Sequence, residues 1–355
     1  MSTRIPFDEV KATVKKALLN LGLSEEDAEL CATIHTQSSA DGVESHGLNR
    51  IPRFADYVQK GWVDVKAEPE LVGKKGAAEN YDGHRGIGVK NAVICADRAM
   101  ELAKEHGIGL VALRNTTHWM RGGAYAWRMA EKGFLGISWI NTESCMPMWG
   151  SDEPGVGNNP FCIAIPREKG PIVVDMAMSQ YAYGKLGVYR LAGKQLPYPG
   201  GFDENGNLTT DPGAIEKTGR ILPTGYWKGT SLAIALDMAA AMIANGFCGT
   251  DMDIQAKGSC SGCCQIFIAI DPYMFGGKEE LQAMLDKRVA AADATHPIDP
   301  KHPVRCPGES TVARREKSMK DGVNVDESVW AQVQNLAAGK MDVEDISGVV
   351  IQKKV

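Results

Sequence analysis

The sequence predicts an α/β fold whose two ends are helical. Two helix-to-strand repeats support this prediction: a helical pattern at 91–106 precedes the apolar run 108–113, and another at 124–132 precedes the run 135–141. Further apolar runs of strand length lie at 161–165, 172–175 and 266–270. Alternation of this kind is typical of a sheet covered by helices.

The helical ends are predicted by apolar spacing and by capping residues. An apolar stripe with helical spacing runs from Phe7 to Gly22, and Ser24, followed by three acidic residues, is a typical helix N-terminus. This second helix is expected to reach about Ala40. The remaining predicted helices are 45–57, 231–245, 276–292 and about 308–338. The segment 183–212 is rich in Gly, Pro, Asp and Asn and is predicted to be a loop.

Length and composition exclude several classes of protein. At about 150 residues per domain, 355 residues suggest two or three domains, and 44% hydrophobic and 23% charged residues are ordinary for a globular protein. The net charge of −5 and the lack of a basic stripe disfavour a nucleic-acid partner. No apolar run reaches the ~20 residues that span a bilayer. The N-terminal residues lack a signal-peptide core, so the nine cysteines are expected to be reduced thiols of a cytoplasmic protein.

The segment 45–50, Ser-His-Gly-Leu-Asn-Arg, combines two side chains suited to chemistry on a carboxylic acid. His46 and Arg50 are four residues apart and would share one face of a helix. An imidazole exchanges protons near neutral pH, and a guanidinium binds a carboxylate through two hydrogen bonds. The pattern predicts His46 as general acid and Arg50 as carboxylate clamp. In the alternative interpretation His46 only packs, and Arg50 pairs with Asp41 or Glu44.

Two further segments contain candidate site residues. His118 lies among polar, cationic and aromatic residues between a predicted strand and helix, where active sites of α/β proteins often lie. The alternative there is a plain surface turn. Lys228 precedes the predicted helix 231–245, and its charge would add to a helix N-terminus that suits a pyrophosphate. The alternative is an exposed lysine beside a packed Trp227.

Three motif-like patterns are interpreted as structural. The sequence 107–112 matches G-x-G-x-x-A, but its glycines follow a helix and open a strand, the reverse of a dinucleotide fingerprint. The glycines at 83–88 are expected to form a turn. Cys260, Cys263 and Cys264 have no second ligand pair to complete a zinc site, so they are expected to be packed thiols and no metal is predicted.

Seven stretches of the chain resemble the malate/L-lactate dehydrogenase family, a group of non-Rossmann dehydrogenases that includes ureidoglycolate and sulfolactate dehydrogenases. The similarity runs from the first helix to about Leu336. It implies a non-Rossmann NAD(P)-dependent dehydrogenase fold with a large mixed sheet, a homodimer, and NAD as cofactor in preference to NADP. The stretches are SHGLNR (45–50), NTTHWMRGG (115–123), GNNP (157–160), VVDMA (173–177), GFDENGNLTTDP (201–212), GYWKG (225–229) and CPGES (306–310).

The resemblance also implies roles for individual residues. His46 would be the proton donor, Ser45 and Arg50 would lie in the substrate pocket, and His118 would lie near the nicotinamide. The implied cofactor contacts are Pro171, Ile172, Val173, Val174, Asp175, Met176, Ala177, Trp227, Lys228, Gly308, Glu309 and Ser310. Three regions are expected: a helical domain of 1–75 plus 310–345, a substrate-binding core of 76–140 plus 225–309, and an NAD-binding domain of 141–224.

With these roles, the resemblance implies NADH-dependent reduction of the C2 ketone of a 2-oxo sugar acid, with 2,3-diketo-L-gulonate as the expected substrate. Another 2-hydroxy acid, such as malate, lactate or ureidoglycolate, is the alternative. Two other classes are open: a lyase that uses Lys228 as a Schiff-base amine, and a sugar-acid-binding protein without catalysis. Asp175 or Glu309 is expected to accept the ribose hydroxyls and to repel the 2′-phosphate of NADP.

Overall fold

The computed structural model describes residues 2–342, apart from the side chain of Leu191. The last three residues of the predicted helical domain, 343–345, lie outside this range. The helices within it are α1 (Phe7–Asn20), α2 (Glu25–Ala40), α3 (Ile51–Gln59), α4 (Gly88–His106), α5 (Gly122–Glu131), α6 (Tyr183–Leu191), α7 (Pro212–Thr218), α8 (Trp227–Ala244), α9 (Gly249–Gln255), α10 (Lys278–Asp293), α11 (Glu309–Asp321) and α12 (Glu327–Ala337). The strands are β1 (Ser2–Ile5), β2 (Glu70–Lys75), β3 (Ala78–Asp82), β4 (Ile108–Thr116), β5 (Leu135–Ile140), β6 (Met146–Pro147), β7 (Pro154–Val156), β8 (Phe161–Ile165), β9 (Ile172–Met176), β10 (Gly201–Phe202), β11 (Leu208–Thr209), β12 (Cys263–Ile270) and β13 (Val323–Asp326).

A seven-stranded sheet forms the centre of the fold, in the order β2-β3-β4-β12-β5-β8-β9. β3 and β4 are parallel, and each of the other neighbouring pairs is antiparallel. Side chains alternate between the two faces of a strand: Val111 and Leu113 pack against α4, whereas Ala112 packs against α8. The predicted α/β fold with a large mixed sheet is therefore confirmed.

The order of the central strands decides where loops can form a site. β4 and β5 flank β12, and both run antiparallel to it, with Thr116 opposite Cys263 and Ile140 opposite Gln265. The carboxyl ends of β4 and β5 and the amino end of β12 therefore lie at one end of the sheet. The loops after β4 and β5 and the turn before β12 meet there.

A second apolar cluster joins the first helices of the chain to β13 and α12. It contains buried residues of α1, α2, α3, α12 and β13, and β1 pairs antiparallel with β13. Ser24 caps α2 as predicted, because its side chain accepts the Asp27 N–H. This helical layer fixes the position of α2 and of the loop that follows it. The predicted division into three domains stays a prediction.

Three predicted segments differ from the structure. The segment 45–57 is not one helix, because Gly47, between the 3₁₀ turns Glu44–His46 and Leu48–Arg50, has a non-helical backbone with φ −111° and ψ −122°. The predicted loop 183–212 contains α6, which forms because Tyr183 and Leu186 pack into the core beside α8. The predicted helix 308–338 is interrupted by β13, because its valines are buried against the N-terminal helices.

Helix α8 begins at Trp227, four residues before its predicted start, and is apolar around most of its circumference. One side packs on the sheet, while Leu232, Met238 and Met242 are exposed, Met242 by 78%. Between residues 2 and 342, no single helix is long and apolar enough to cross a membrane. α8 and α9 together meet the length and composition requirement but are bent by 80° at the break between them.

Candidate active site

The turn that contains His46 is held on α2 by two hydrogen bonds. Nδ1 of the buried His35 lies 3.1 Å from the Gly47 carbonyl oxygen, and the Ser39 hydroxyl accepts the Leu48 N–H at 2.8 Å. A side chain at position 47 would lie 2.3 Å from the Ser39 oxygen and 2.8 Å from its backbone nitrogen. Glycine is therefore required where the turn crosses the helix.

Ser45, His46 and Arg50 form one hydrogen-bonded group. The Ser45 oxygen lies 3.0 Å from Nδ1 of His46, and Nε of Arg50 donates to the Ser45 carbonyl at 2.8 Å. The side chains are thus brought together by two 3₁₀ turns and a backbone contact, and the predicted shared helix face is wrong. A hydroxyl can donate to the neutral imidazole and accept from the imidazolium, so Ser45 can remain bonded to His46 in both protonation states.

His118 comes from the neighbouring loop, after β4, as predicted. Its backbone N–H donates to the Ser259 carbonyl at 2.9 Å, and its Nδ1 accepts the Met120 N–H at 2.9 Å. A neutral His118 therefore has its proton on Nε2. The rings of His46 and His118 lie 6.1 Å apart between centroids, with an angle of 31° between their planes. The two histidines thus border one space.

The surroundings of both histidines disfavour a positive charge. Burial lowers the pKa of His46 well below its usual range, and Arg50 and His118 lower it further. Burial and the charges of Arg50 and Arg53 lower the pKa of His118 to about 3. Both rings are therefore neutral at pH 7 in this form of the protein. The cationic groups around them favour an anionic ligand.

Asp41, one of the two alternative partners of Arg50, is engaged elsewhere. Asp41 is fully buried and pairs with Arg121 and with Arg315, whose Nε and Nη2 donate to it at 2.8 and 2.9 Å. Arg121 also lies 3.3 Å from Asp175. Burial raises the pKa of Asp41, but the two guanidiniums offset this effect and the pKa is lowered. This network connects α2 with β9 and α11, and Asp41 is not the acid that neutralises Arg50.

The residues with implied cofactor contacts come from three segments that meet at β9, an edge strand of the sheet. The Val173 N–H donates to the Pro307 carbonyl at 3.1 Å, so the strand touches the turn before α11. The Thr224 N–H donates to the Met178 carbonyl at 2.8 Å, so the segment before α8 lies at the end of the strand. A side chain at Gly308, where φ is +101°, would lie 3.3 Å from the Pro171 oxygen. Two helix N-termini therefore flank one strand edge.

Individual side chains in this second group are placed as follows. Trp227 and Lys228 form the first turn of α8, and Trp227 is 58% exposed rather than packed. Asp175 keeps its ion pair with Arg121, and Glu309 accepts the Cys306 N–H at 3.0 Å. Ser310 lies 3.4 Å from an Arg305 nitrogen. Both acids proposed for the ribose hydroxyls therefore already have a partner within the protein.

The motif-like patterns that were interpreted as structural are structural. Gly107 ends α4 with φ +80° and opens β4. The glycine segment 83–88 is a turn closed by a 2.7 Å bond from the Gly86 N–H to the Gly83 carbonyl. Cys260, Cys263 and Cys264 are buried, and burial raises the pKa of each thiol. They pack at the amino end of β12.

Sequence reasoning missed two charged residues of the site. Arg53 lies in α3 and acts on the pKa of both histidines. Glu143 lies in the loop after β5, at the same end of the sheet as His118. The rule that led to His118, a polar residue after the carboxyl end of a strand, would also have found Glu143. Arg53 carried no signal beyond its distance of three residues from Arg50.

Comparisons with known proteins find similarity to dehydrogenases and reductases. The sequence model of the malate/L-lactate dehydrogenase family matches residues 5–334. The 2,3-diketo-L-gulonate reductases of Klebsiella pneumoniae and Shigella boydii are 45% and 43% identical, over 94% of this chain and 100% of their own lengths. The malate dehydrogenase structure of Pyrococcus horikoshii has 26% identity and a TM-score of 0.86, and covers 97% of both chains. The sulfolactate dehydrogenase structure of Methanocaldococcus jannaschii has 27% identity and a TM-score of 0.86, with 98% and 100% covered.

Proposed function

We propose that this chain, which belongs to the malate/L-lactate dehydrogenase family, reduces the C2 ketone of 2,3-diketo-L-gulonate with a nicotinamide cofactor. The predicted family is confirmed by the match over residues 5–334. The substrate follows from the full-length similarity to reductases of that name. The observation that supports the chemistry is the group of Ser45, His46 and Arg50, which faces His118 across a ring distance of 6.1 Å.

The strand edge along β9 is the proposed site of the dinucleotide. Gly308 leaves space beside the Pro171 carbonyl and the Val173 N–H, and the N-termini of α8 and α11 provide partial positive charges for a pyrophosphate. Residues 171–177, 227–228 and 308–310 would hold the cofactor, and Lys228 would add positive charge at the start of α8. When bound, the reduced nicotinamide supplies the hydride that reduces the ketone.

The protein's own residues then bind, orient and protonate. Arg50 would hold the substrate carboxylate, because a guanidinium binds both oxygens, and its Nε bond to Ser45 fixes the direction of the side chain. His46 would give the proton to the developing alkoxide, while Ser45 holds its Nδ1. His118, with a proton on Nε2, would donate a hydrogen bond to the same oxygen.

NAD is proposed in preference to NADP. The supporting argument is that Asp175 lies on the cofactor strand and would repel a 2′-phosphate. Its ion pair with Arg121 weakens this repulsion, so the preference is expected to be moderate. Comparing kcat/KM for NADH and NADPH with one substrate checks it, and a preference for NADPH would contradict the role of Asp175.

A homodimer is also proposed. Its support is the apolar outer side of α8, where Leu232, Met238 and Met242 are exposed together. An exposed apolar patch of this kind marks a protein contact more often than a free surface. Light scattering is expected to give twice the mass of the chain, and a monomer at micromolar concentration would contradict the proposal.

The function is tested by following NADH absorbance on addition of 2,3-diketo-L-gulonate, oxaloacetate or pyruvate. We expect the highest kcat/KM for the diketo acid. A higher value for oxaloacetate would favour a malate-type activity, to which the structural likeness to malate dehydrogenase gives weaker support. His46→Ala is expected to abolish turnover while NADH affinity, measured by fluorescence, stays within about threefold. Near-native turnover of this variant would exclude His46 as the proton donor.

The lyase with a Lys228 Schiff base has no support in the comparisons, which name dehydrogenases and reductases. Borohydride trapping with the diketo acid gives a direct check. We expect no covalent adduct on Lys228, and a trapped adduct would replace the reductase proposal.

A further inference from the structure

Glu143 lies in a loop whose backbone is fixed on both sides of it. The Thr142 N–H donates to the Asn159 side chain at 2.9 Å, and the Ser144 N–H donates to Asp253 at 2.8 Å. The next residue, Cys145, donates its N–H to the Val156 carbonyl at 3.0 Å. The backbone at Glu143 is therefore held in place by hydrogen bonds of its neighbours.

One carboxyl oxygen of Glu143, Oε2, is buried and has no hydrogen-bond partner among residues 2–342. A carboxylate oxygen accepts hydrogen bonds strongly, and burying it without a donor costs stability. Burial raises the pKa of Glu143, while the charges of Arg50 and Arg53 act in the opposite direction. Glu143 is therefore an acceptor in the electrostatic range of the residues that would hold the substrate.

The Glu143 loop and the Ser45 turn also share one neighbour, helix α6. The Tyr183 hydroxyl donates to the Cys145 carbonyl at 2.8 Å, and a side chain at Gly184 would lie 2.4 Å from the Ser45 Cβ. From the other side, His118 and Glu143 follow neighbouring strand ends on either side of β12. Glu143 therefore lies at the same end of the sheet as His118 and close to the turn of Ser45 and His46, and the reaction proposed above does not use it.

Resting on the proposed function, we propose that Glu143 binds hydroxyl groups of the substrate beyond its keto-acid end and so selects polyhydroxylated 2-oxo acids over dicarboxylic ones. In the proposed function Arg50 takes the carboxylate, and the remainder of the substrate can supply the donor that Oε2 lacks. Hydroxyl groups supply such donors. An ionised second carboxylate of the substrate has no proton to donate to Oε2, and two neighbouring carboxyl groups disfavour each other's charge.

The test compares wild type, Glu143→Ala and Glu143→Gln with 2,3-diketo-L-gulonate, pyruvate and oxaloacetate. For Glu143→Ala, we expect kcat/KM to fall roughly ten- to hundredfold for the diketo acid, to change less than about threefold for pyruvate, and to rise for oxaloacetate. Glu143→Gln keeps one acceptor oxygen and removes the charge. It should lose less activity with the diketo acid and still gain with oxaloacetate.

Glu153→Gln is the matched control, because Glu153 is an exposed acid ten residues further along the chain. This variant should have the same kcat/KM as wild type for each of the three substrates. Thermal unfolding of each variant separates a folding defect from a change in selectivity. Equal losses for the diketo acid and pyruvate, or no loss for either, would overturn the role of Glu143 alone. A wild-type protein that reduces none of the three acids would overturn the proposed function and this inference together.

Discussion

At the scale of single residues, the protonation state of His46 decides whether the site favours reduction of a ketone or oxidation of an alcohol. Its lowered pKa leaves the ring neutral at pH 7, a state that accepts a proton during oxidation of an alcohol. Reduction needs the imidazolium. Since Arg50 is the second cause of the lowered pKa, a substrate carboxylate bound to Arg50 would remove part of the effect and raise the pKa.

The pH dependence of reduction follows from this coupling. We expect kcat/KM, which reports the free enzyme, to rise as the pH falls towards the low pKa of His46. The kcat profile reports the complex and should show a higher apparent pKa, because the bound carboxylate offsets Arg50. Steady-state rates between pH 5 and 9 measure both. Equal apparent pKa values, or a higher one in kcat/KM, would contradict the coupling.

Arg50→Lys tests the carboxylate clamp. Lysine keeps the charge but loses the planar pair of donors and the Nε bond to Ser45. We expect KM for the keto acid to rise roughly 10–100-fold while kcat changes less than about fivefold. Arg288→Lys, at an exposed position of α10, is the control and should change neither constant. An unchanged kcat/KM for Arg50→Lys would remove Arg50 from the pocket.

The types of site residue could be predicted, but their geometry could not. His46, Arg50 and His118 carry chemistry that is visible in the sequence. The contact that orients Arg50 is with a backbone carbonyl, which every residue has and no motif marks. The neutral state of the two histidines results from burial and from the guanidinium groups of Arg50, Arg53 in α3 and Arg121 before α5. The combined effect of burial and charge on these pKa values depends on tertiary packing.

At the scale of elements, the turn at Gly47 shows why the predicted helix 45–57 does not form. A helix through position 47 would lose the bonds from His35 and Ser39 that hold this turn on α2. These partners lie 12 and 9 residues away, outside the range of a helical periodicity argument. Strands such as β5 and β8 were predicted well because their apolar runs are continuous and buried between neighbours. The exposed edge strand β2 has no such run.

Gly47→Ala is the corresponding test. The new Cβ would meet the Ser39 oxygen and nitrogen at 2.3 and 2.8 Å, so α2 and the turn must separate. We expect a loss of about 1–3 kcal/mol in the free energy of unfolding and a fall in kcat, since His46 is the preceding residue. Gly73→Ala is the control, because Gly73 does not have a left-handed φ and its new Cβ would meet nothing closer than the Asn80 Cβ at 3.8 Å. Native stability and kcat for Gly47→Ala would show that the turn is not fixed by this contact.

At the scale of the whole molecule, the fold encloses neutral histidines, and this makes its stability depend on pH. His35 is 3% exposed, and burial lowers its pKa to about 4. The unfolded chain binds a proton near pH 6.5, whereas the folded protein does so only near pH 4. The contribution of His35 is therefore fully present above pH 6.5 and is lost as the pH falls towards 4. The lowered pKa values of His46 and His118 also make the folded protein less stable as the pH falls.

The variant His35→Asn isolates the contribution of His35 to the pH dependence of stability. An asparagine amide can replace Nδ1 as the donor to the Gly47 carbonyl but does not titrate. Urea unfolding at pH 7 and pH 5 should show that the variant loses about 2 kcal/mol less stability than wild type between the two values, since one unit of pKa difference corresponds to about 1.4 kcal/mol. His296→Asn, at an exposed position, should keep the wild-type difference. If His35→Asn lost as much stability as wild type between pH 7 and pH 5, His35 would take up its proton equally well in the folded and unfolded states. The sensitivity to acid would then come from other groups.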